Sequence, residues 1–111
     1  TLWDLIEFRA DVAPMEEDRA VQALRDREVH LAKTTEDLLA AERRLGELSE
    51  EGRTGYEEAL AMMARIDQVR RVSGLRSTWC KARTAVEEAR WHLDRLRMMR
   101  RLWKELAERA A

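Results

Sequence analysis

The chain has 111 residues, enough for one domain with a modest core, and charged residues make up 39% of it. One Pro, four Gly and no strand-length alternation of apolar and polar residues exclude a sheet and point to long helices or coiled coil. The net charge of −1 hides an asymmetry, since residues 1–55 hold 8 Lys+Arg against 14 Asp+Glu and residues 56–111 hold 13 against 8. Opposite charge on two arms of a hairpin explains this, and a basic second half meeting an acidic partner is the other reading.

The first segment, residues 1–13, carries Leu2, Trp3, Leu5, Ile6 and Phe8, an apolar cluster too dense for an exposed tail, with acidic Asp4, Glu7 and Asp11. Pro14 then interrupts the pattern. Because Pro is tolerated in a first helical turn and Glu16, Glu17 and Asp18 suit the positive end of a helix dipole, a new helix starting there fits as well as a kink in a longer one.

In the second segment Leu24, Leu31, Leu38 and Leu45 recur every seven residues, as in a leucine zipper. Val21, Glu28, Thr35 and Glu42 read as the companion positions. Their polarity argues against a simple two-stranded zipper, while Ala32, Leu39, Ala41 and Leu48 widen the stripe toward more than one neighbour. The stretch Ser49 to Gly55 reads as a turn, with Gly52 ending one helix and Thr54 with Glu57 forming a capping box for the next. A connection this short makes the flanking helices antiparallel neighbours.

The third segment shows a stripe of Ala59, Met62, Ile66, Val69 and Val72. Trp79, Ala82, Val86, Ala89, Leu93 and Leu96 then keep strict three–four spacing. Val72 and Leu75 arrive one residue early around Ser73-Gly74, which predicts a locally overwound but continuous helix. With the tip near residue 53, residue i should face residue 106 − i, pairing Met15 with Trp91, His30 with Arg76 and Trp3 with Trp103. The predicted fold is therefore all-α: an elongated antiparallel helical hairpin, coiled-coil-like and about 80 Å long at 1.5 Å per residue. It forms one domain with a short N-terminal helical segment (1–13) packed at the open end, a helix (14–50), a turn (51–55) and a long helix (56–110). The alternative is a three-helix bundle with a break near Ser73-Gly74.

From residue 91 the pattern stops being a single stripe. Trp91, Met98 and Leu102 share one line roughly opposite Leu93, Met99, Trp103 and Leu106 fill the angle between, and Arg90, Arg97, Arg101 and Lys104 occupy what remains. More than half the circumference is apolar, which one partner helix cannot cover. Either the N-terminal segment folds over it or another protein docks there, since Trp, Met and Arg are residue types that interfaces favour. The expected interface residues are Trp3, Ile6, Trp91, Met98, Met99, Leu102, Trp103 and Leu106.

No chemistry is legible. His30 and His92 lack a metal-ligand partner at suitable spacing, adjacent acidic pairs such as Glu87-Glu88 point apart on a helix, and no nucleophile has an activating base beside it, so no catalytic, metal or cofactor residues are assigned. Cys80, beside core Trp79, reads as a small packing or boundary residue. As the single cysteine it favours a reducing, cytoplasmic compartment. No apolar run approaches the ~20 residues of a membrane span, and no signal-peptide pattern is present. The chain begins at Thr1 rather than Met, which fits a trimmed chain or an excised domain.

Trp79, Val86 and Leu93, with Trp3 near the start, are similar to the third helix of spectrin repeats, although the Gly52–Gly55 turn and the unbroken third segment depart from that family. Two long antiparallel helices rich in Arg, Glu, Leu and Ala resemble, in plan, the stalk proteins of flagellar and type III secretion ATPases. Either likeness implies a non-enzymatic role. The expected function is a protein–protein interaction module (scaffold, adaptor or assembly subunit) that self-associates as a homodimer through the apolar open end. Nucleic-acid or membrane-surface binding through the basic stripe is disfavoured by the slightly negative net charge and by the absence of a recognised nucleic-acid motif.

Overall fold

The structure, a computed structural model, describes residues 1–48 and 55–110, with the side chain of Ala110 excepted. Among these residues it contains two helices, α1 (Leu2–Glu47) and α2 (Gly55–Ala110), so the expected all-α hairpin forms. The chain divides into a terminal unit, Thr1–Glu28 with Ala85–Ala111, and a middle unit, Val29–Thr84. Each unit takes a stretch from both helices. In the terminal unit Glu17 meets Arg97 and Arg100 while Leu5 and Arg9 lie beside Trp103, so the stretches run antiparallel. In the middle unit Thr35 meets Trp79 and Ala41 meets Gln68, again antiparallel.

Each helix follows a buried seam spaced by four and three. Along α1 it runs Ile6, Ala10, Ala13, Glu17, Ala20 and Leu24, and resumes as Leu31, Thr34, Leu38, Ala41 and Leu45, with Leu48 just beyond the helix end, all buried or half-buried. The leucines are therefore seam residues, but their companions are Ala20, Thr34 and Ala41, one residue earlier than Val21, Thr35 and Glu42. Leu39 and Ala32, expected to widen the stripe, are exposed.

This seam also corrects the separate N-terminal segment. Helix α1 is continuous from Leu2 through Pro14. Pro14 donates no amide hydrogen, leaving the Ala10 carbonyl without its intrahelical partner. Ile6, Ala10, Ala13 and Glu17 nevertheless keep their spacing across it, and packing of that face against α2 holds the helix together. Thr1 caps the start, its hydroxyl accepting the Asp4 amide hydrogen at 3.3 Å.

Along α2 the seam is Gln68, Val72, Leu75, Trp79, Ala82, Val86, Ala89, Leu93 and Leu96, without a change of spacing at Gly74. The expected overwinding therefore disappears, and so does the break a three-helix bundle would need. It arose from taking Met62, Ile66 and Val69 as core, when all three are exposed and Ala61 and Gln68 face inward. Gln68 is hidden from an apolar pattern because its polarity is satisfied across the hairpin, its side-chain amide donating to the Ala41 carbonyl at 2.9 Å. Trp79 is held similarly, its indole N–H donating to the Thr35 hydroxyl at 2.9 Å. That hydroxyl in turn donates to the Leu31 carbonyl at 2.7 Å.

Register differs from the expected one, with each α1 residue meeting a partner further along α2, from about one turn on for Ala41 with Gln68 to about three for Glu42 with Arg76. A tip near residue 53 assigns residue 71 to Thr35, 64 to Glu42 and 89 to Glu17. The observed partners are Trp79, Arg76, and Arg97 with Arg100. Seam contacts rather than the connection decide the alignment. Helix α1 ends at Glu47, where the Leu48 amide is shared by the Arg44 and Leu45 carbonyls, both at 3.2 Å. Helix α2 opens on Gly55 at φ 58°, a conformation only glycine adopts freely. Gly52, Thr54 and the capping box expected there lie outside the described residues.

Candidate interaction surface

Among the described residues, nine apolar residues are buried, and five of them are alanines: Ala20, Ala41, Ala61, Ala82 and Ala89. Small side chains let two helices approach closely but bury little area each, so this core is thin for its length. Large apolar residues meanwhile lie outside. The expected interface residues divide accordingly. Ile6 is buried, Met99 and Trp103 are half-buried beside α1, and Leu106 is half-buried, so these four are largely withdrawn from the surface. Trp3, Trp91, Met98 and Leu102 are exposed, Trp91 at 66% and Met98 at 57%.

Helix α1 carries an outward stripe of its own that the sequence pattern did not single out. Leu5, Phe8, Val12 and Met15 are spaced three, four and three; Val12 is half-buried and the other three are exposed, Phe8 at 59%. This series interleaves with the buried one of Ile6, Ala10 and Ala13, and counting spacings alone in residues 2–15 exposes both. On α2, Trp91, Met98 and Leu102 point away from the seam, and the Arg95 guanidinium lies 5.6 Å from the Trp91 ring centroid.

A groove lies on one side of the terminal unit, and of the stripe residues Leu5 alone lines it. It is lined by Leu5, Arg9 and Glu16 of α1 and by His92, Arg95, Leu96, Met99 and Trp103 of α2, with a volume of about 480 Å³. Arg9 and Glu16 form an ion pair 3.8 Å apart at its edge. Trp103 shares this groove with Leu5 rather than pairing with Trp3, because the register is shifted.

The other side of the unit is charged. Arg97, Arg100, Arg101 and Lys104 surround Glu17, which accepts from Arg100 at 3.0 Å and Arg97 at 3.4 Å. Arg90 lies exposed on the same face. Glu17 was absent from the expected site because it falls on a seam position reserved for apolar residues, and Arg100, which is exposed, because only the register brings it to Glu17. The hydrogen bond from Arg100 outweighs the opposing effect of burial and holds the Glu17 carboxyl below its ordinary value of 4.5, with the Arg100 charge and the Arg97 contact adding smaller effects in the same direction. A depressed native pKa stabilises the fold above the unfolded value and is lost as pH falls through the folded one. Glu17→Gln is therefore expected to cost about 1 kcal/mol at neutral pH. Chemical denaturation at a series of pH values should show the gap to wild type closing as pH drops below 4.5. A gap that persists in acid would mean Glu17 acts through packing.

Cys80 is exposed rather than packed. His30 is exposed too, and Arg76, its expected neighbour, pairs with Glu42 at 3.1 Å. Among the described residues no group of three or more His, Cys, Asp and Glu is arranged to hold a metal ion. No helix among the described residues is long and apolar enough to cross a membrane. A further apolar surface lies on the middle unit, where Tyr56, Leu60, Met62, Met63, Ile66 and Val69 are all exposed. Extending the seam backward from Trp79 by strict three–four spacing would have marked Ala61 and Gln68 as core and these residues as surface.

No protein-family model matches this chain, and comparison with curated proteins and with solved structures gives no match.

Proposed function

We propose that the chain is a non-enzymatic protein–protein interaction module, a scaffold, adaptor or assembly subunit, that self-associates through the apolar side of its terminal unit. The observation that carries this reading is the set of large apolar side chains left exposed on the terminal unit, Leu5, Phe8 and Met15 on α1 and Trp91, Met98 and Leu102 on α2, beside a thin alanine core. Burying such surface against another protein supplies the stabilisation that the narrow intramolecular seam does not. The basic cluster supports nucleic-acid or membrane-surface binding less well, because Glu17 sits among its arginines and neutralises part of it. A stalk-like place in a larger assembly is compatible with the same surface. An exposed lone thiol, Cys80, favours a reducing, cytoplasmic setting.

Met98→Asp tests the reading. Met98 is exposed and off the seam, so helicity and melting of the isolated chain should hold. Self-association measured by sedimentation should weaken roughly 30-fold or more, as for a charge placed in an apolar contact. A wild type that sediments as a monomer at every concentration would sink the proposal.

A further inference from the structure

We infer that Arg97, Arg100, Arg101 and Lys104 form a binding site for a compact anion carrying two phosphate groups, on the charged side of the terminal unit. The site is independent of the self-association proposed above, whose apolar residues it does not include. The four bases line an open pocket of about 300 Å³, and Glu17 completes the lining. That volume is at the low end of those that hold small ligands.

Bases and acid are not equally presented. The Glu17 side chain is 15% exposed, whereas those of Arg97 and Arg100 are 49% and 48% exposed. The carboxylate therefore sits beneath two guanidinium groups, and a ligand arriving from solvent meets positive charge first. Each guanidinium uses one nitrogen on it, Nε of Arg97 at 3.4 Å and Nη1 of Arg100 at 3.0 Å. Two nitrogens of each remain to donate, in the planar fork that suits phosphate oxygens. Both arginines are already tethered, so they lose little freedom when a ligand binds. Arg101 and Lys104 are exposed and pair with no acid among the described residues.

The layout limits the size of the ligand. Arg97, Arg101 and Lys104 follow one line of α2 at spacings of four and three, about 10 Å in all, with Arg100 beside them toward Glu17. Two linked phosphates reach along that line. A longer phosphate chain would run on to exposed acids that frame the cluster, Asp94 and Glu108 on α2 and Asp18 on α1. Four bases against one acid leave three positive charges in surplus, which a single carboxylate or chloride ion would leave mostly uncompensated.

Calorimetric titration of the full chain with pyrophosphate at low ionic strength is the test, with inorganic phosphate and a short single-stranded oligonucleotide as comparison probes. Pyrophosphate should saturate one site per chain and bind roughly tenfold more tightly than inorganic phosphate. Arg101→Gln and Lys104→Gln should each weaken it roughly fivefold to tenfold. Arg70→Gln, which removes the same charge from the middle unit, should change it by less than about twofold. All three side chains are exposed, so circular dichroism should show unchanged helicity. Absence of saturable pyrophosphate binding overturns the site. Equal losses for all three variants overturn it too, because they reduce binding to general charge attraction. An oligonucleotide that binds much more tightly than pyrophosphate would make this a surface for extended polyanions, and the compact site would fall. Self-association, read by sedimentation, stands or falls separately from each of these outcomes.

Discussion

Leu93→Ala is expected to cost about 3 kcal/mol of stability, while Trp91→Ala, two residues away, should cost the isolated chain under about 0.5 kcal/mol. Leu93 is 4% exposed on the α2 seam, flanked there by Ala89 and Leu96. Shortening it removes a large share of a core otherwise built from alanine and leaves a cavity that two helices cannot close without losing register. Trp91 faces the opposite side of the same helix. Its ring touches solvent and the Arg95 guanidinium, so its removal breaks little within the hairpin. Its effect should appear instead in self-association. Denaturant titration at matched, low protein concentration separates the two, because dimer formation adds a concentration-dependent share to apparent stability. Equal losses for both variants would mean that the outward stripe is packed against something within the chain.

Pro14→Ala should raise stability by about 2–3 kcal/mol, a melting increase of roughly 10 °C. The substitution restores an amide donor for the Ala10 carbonyl and removes the ring from a helix that continues on both sides of it. Pro14 is exposed, so no packing is lost in exchange. Thermal unfolding followed by circular dichroism measures it. A melting temperature that stays level or falls would show that residues 1–13 form a separate segment whose entry angle the proline sets.

Both predictions depend on which of several apolar series faces inward, and there the sequence was uneven as a guide. Trp79 to Leu96 could be read directly as a buried seam, since no competing series overlaps it. The outward line of Trp91, Met98 and Leu102 was equally legible, because it lies opposite Leu93. Between Met62 and Val69 the same reasoning chose the wrong face. The true seam there passes through Gln68, whose amide finds the Ala41 carbonyl on the other helix. In α1 the outward series Leu5, Phe8, Val12 and Met15 was obscured by the inward one it interleaves. Glu17 was missed because a charged residue at a seam position is acceptable only when its partner is known, and exposed Arg100 because only the register makes it that partner.

From residue order alone, then, came the all-α class, the two antiparallel helices and a continuous helix through Gly74. All follow from local propensity and from periodicity within one segment, where the relevant interactions span three or four residues. The tertiary structure alone decided the register, the passage of α1 through Pro14 and the division of apolar residues between seam and surface. Each of these turns on a contact between residues far apart in the chain: Thr35 with Trp79, Ala41 with Gln68, Glu17 with Arg97 and Arg100. A helix with 3.6 residues per turn accommodates several apolar stripes at once, and only the neighbouring helix selects the one to bury.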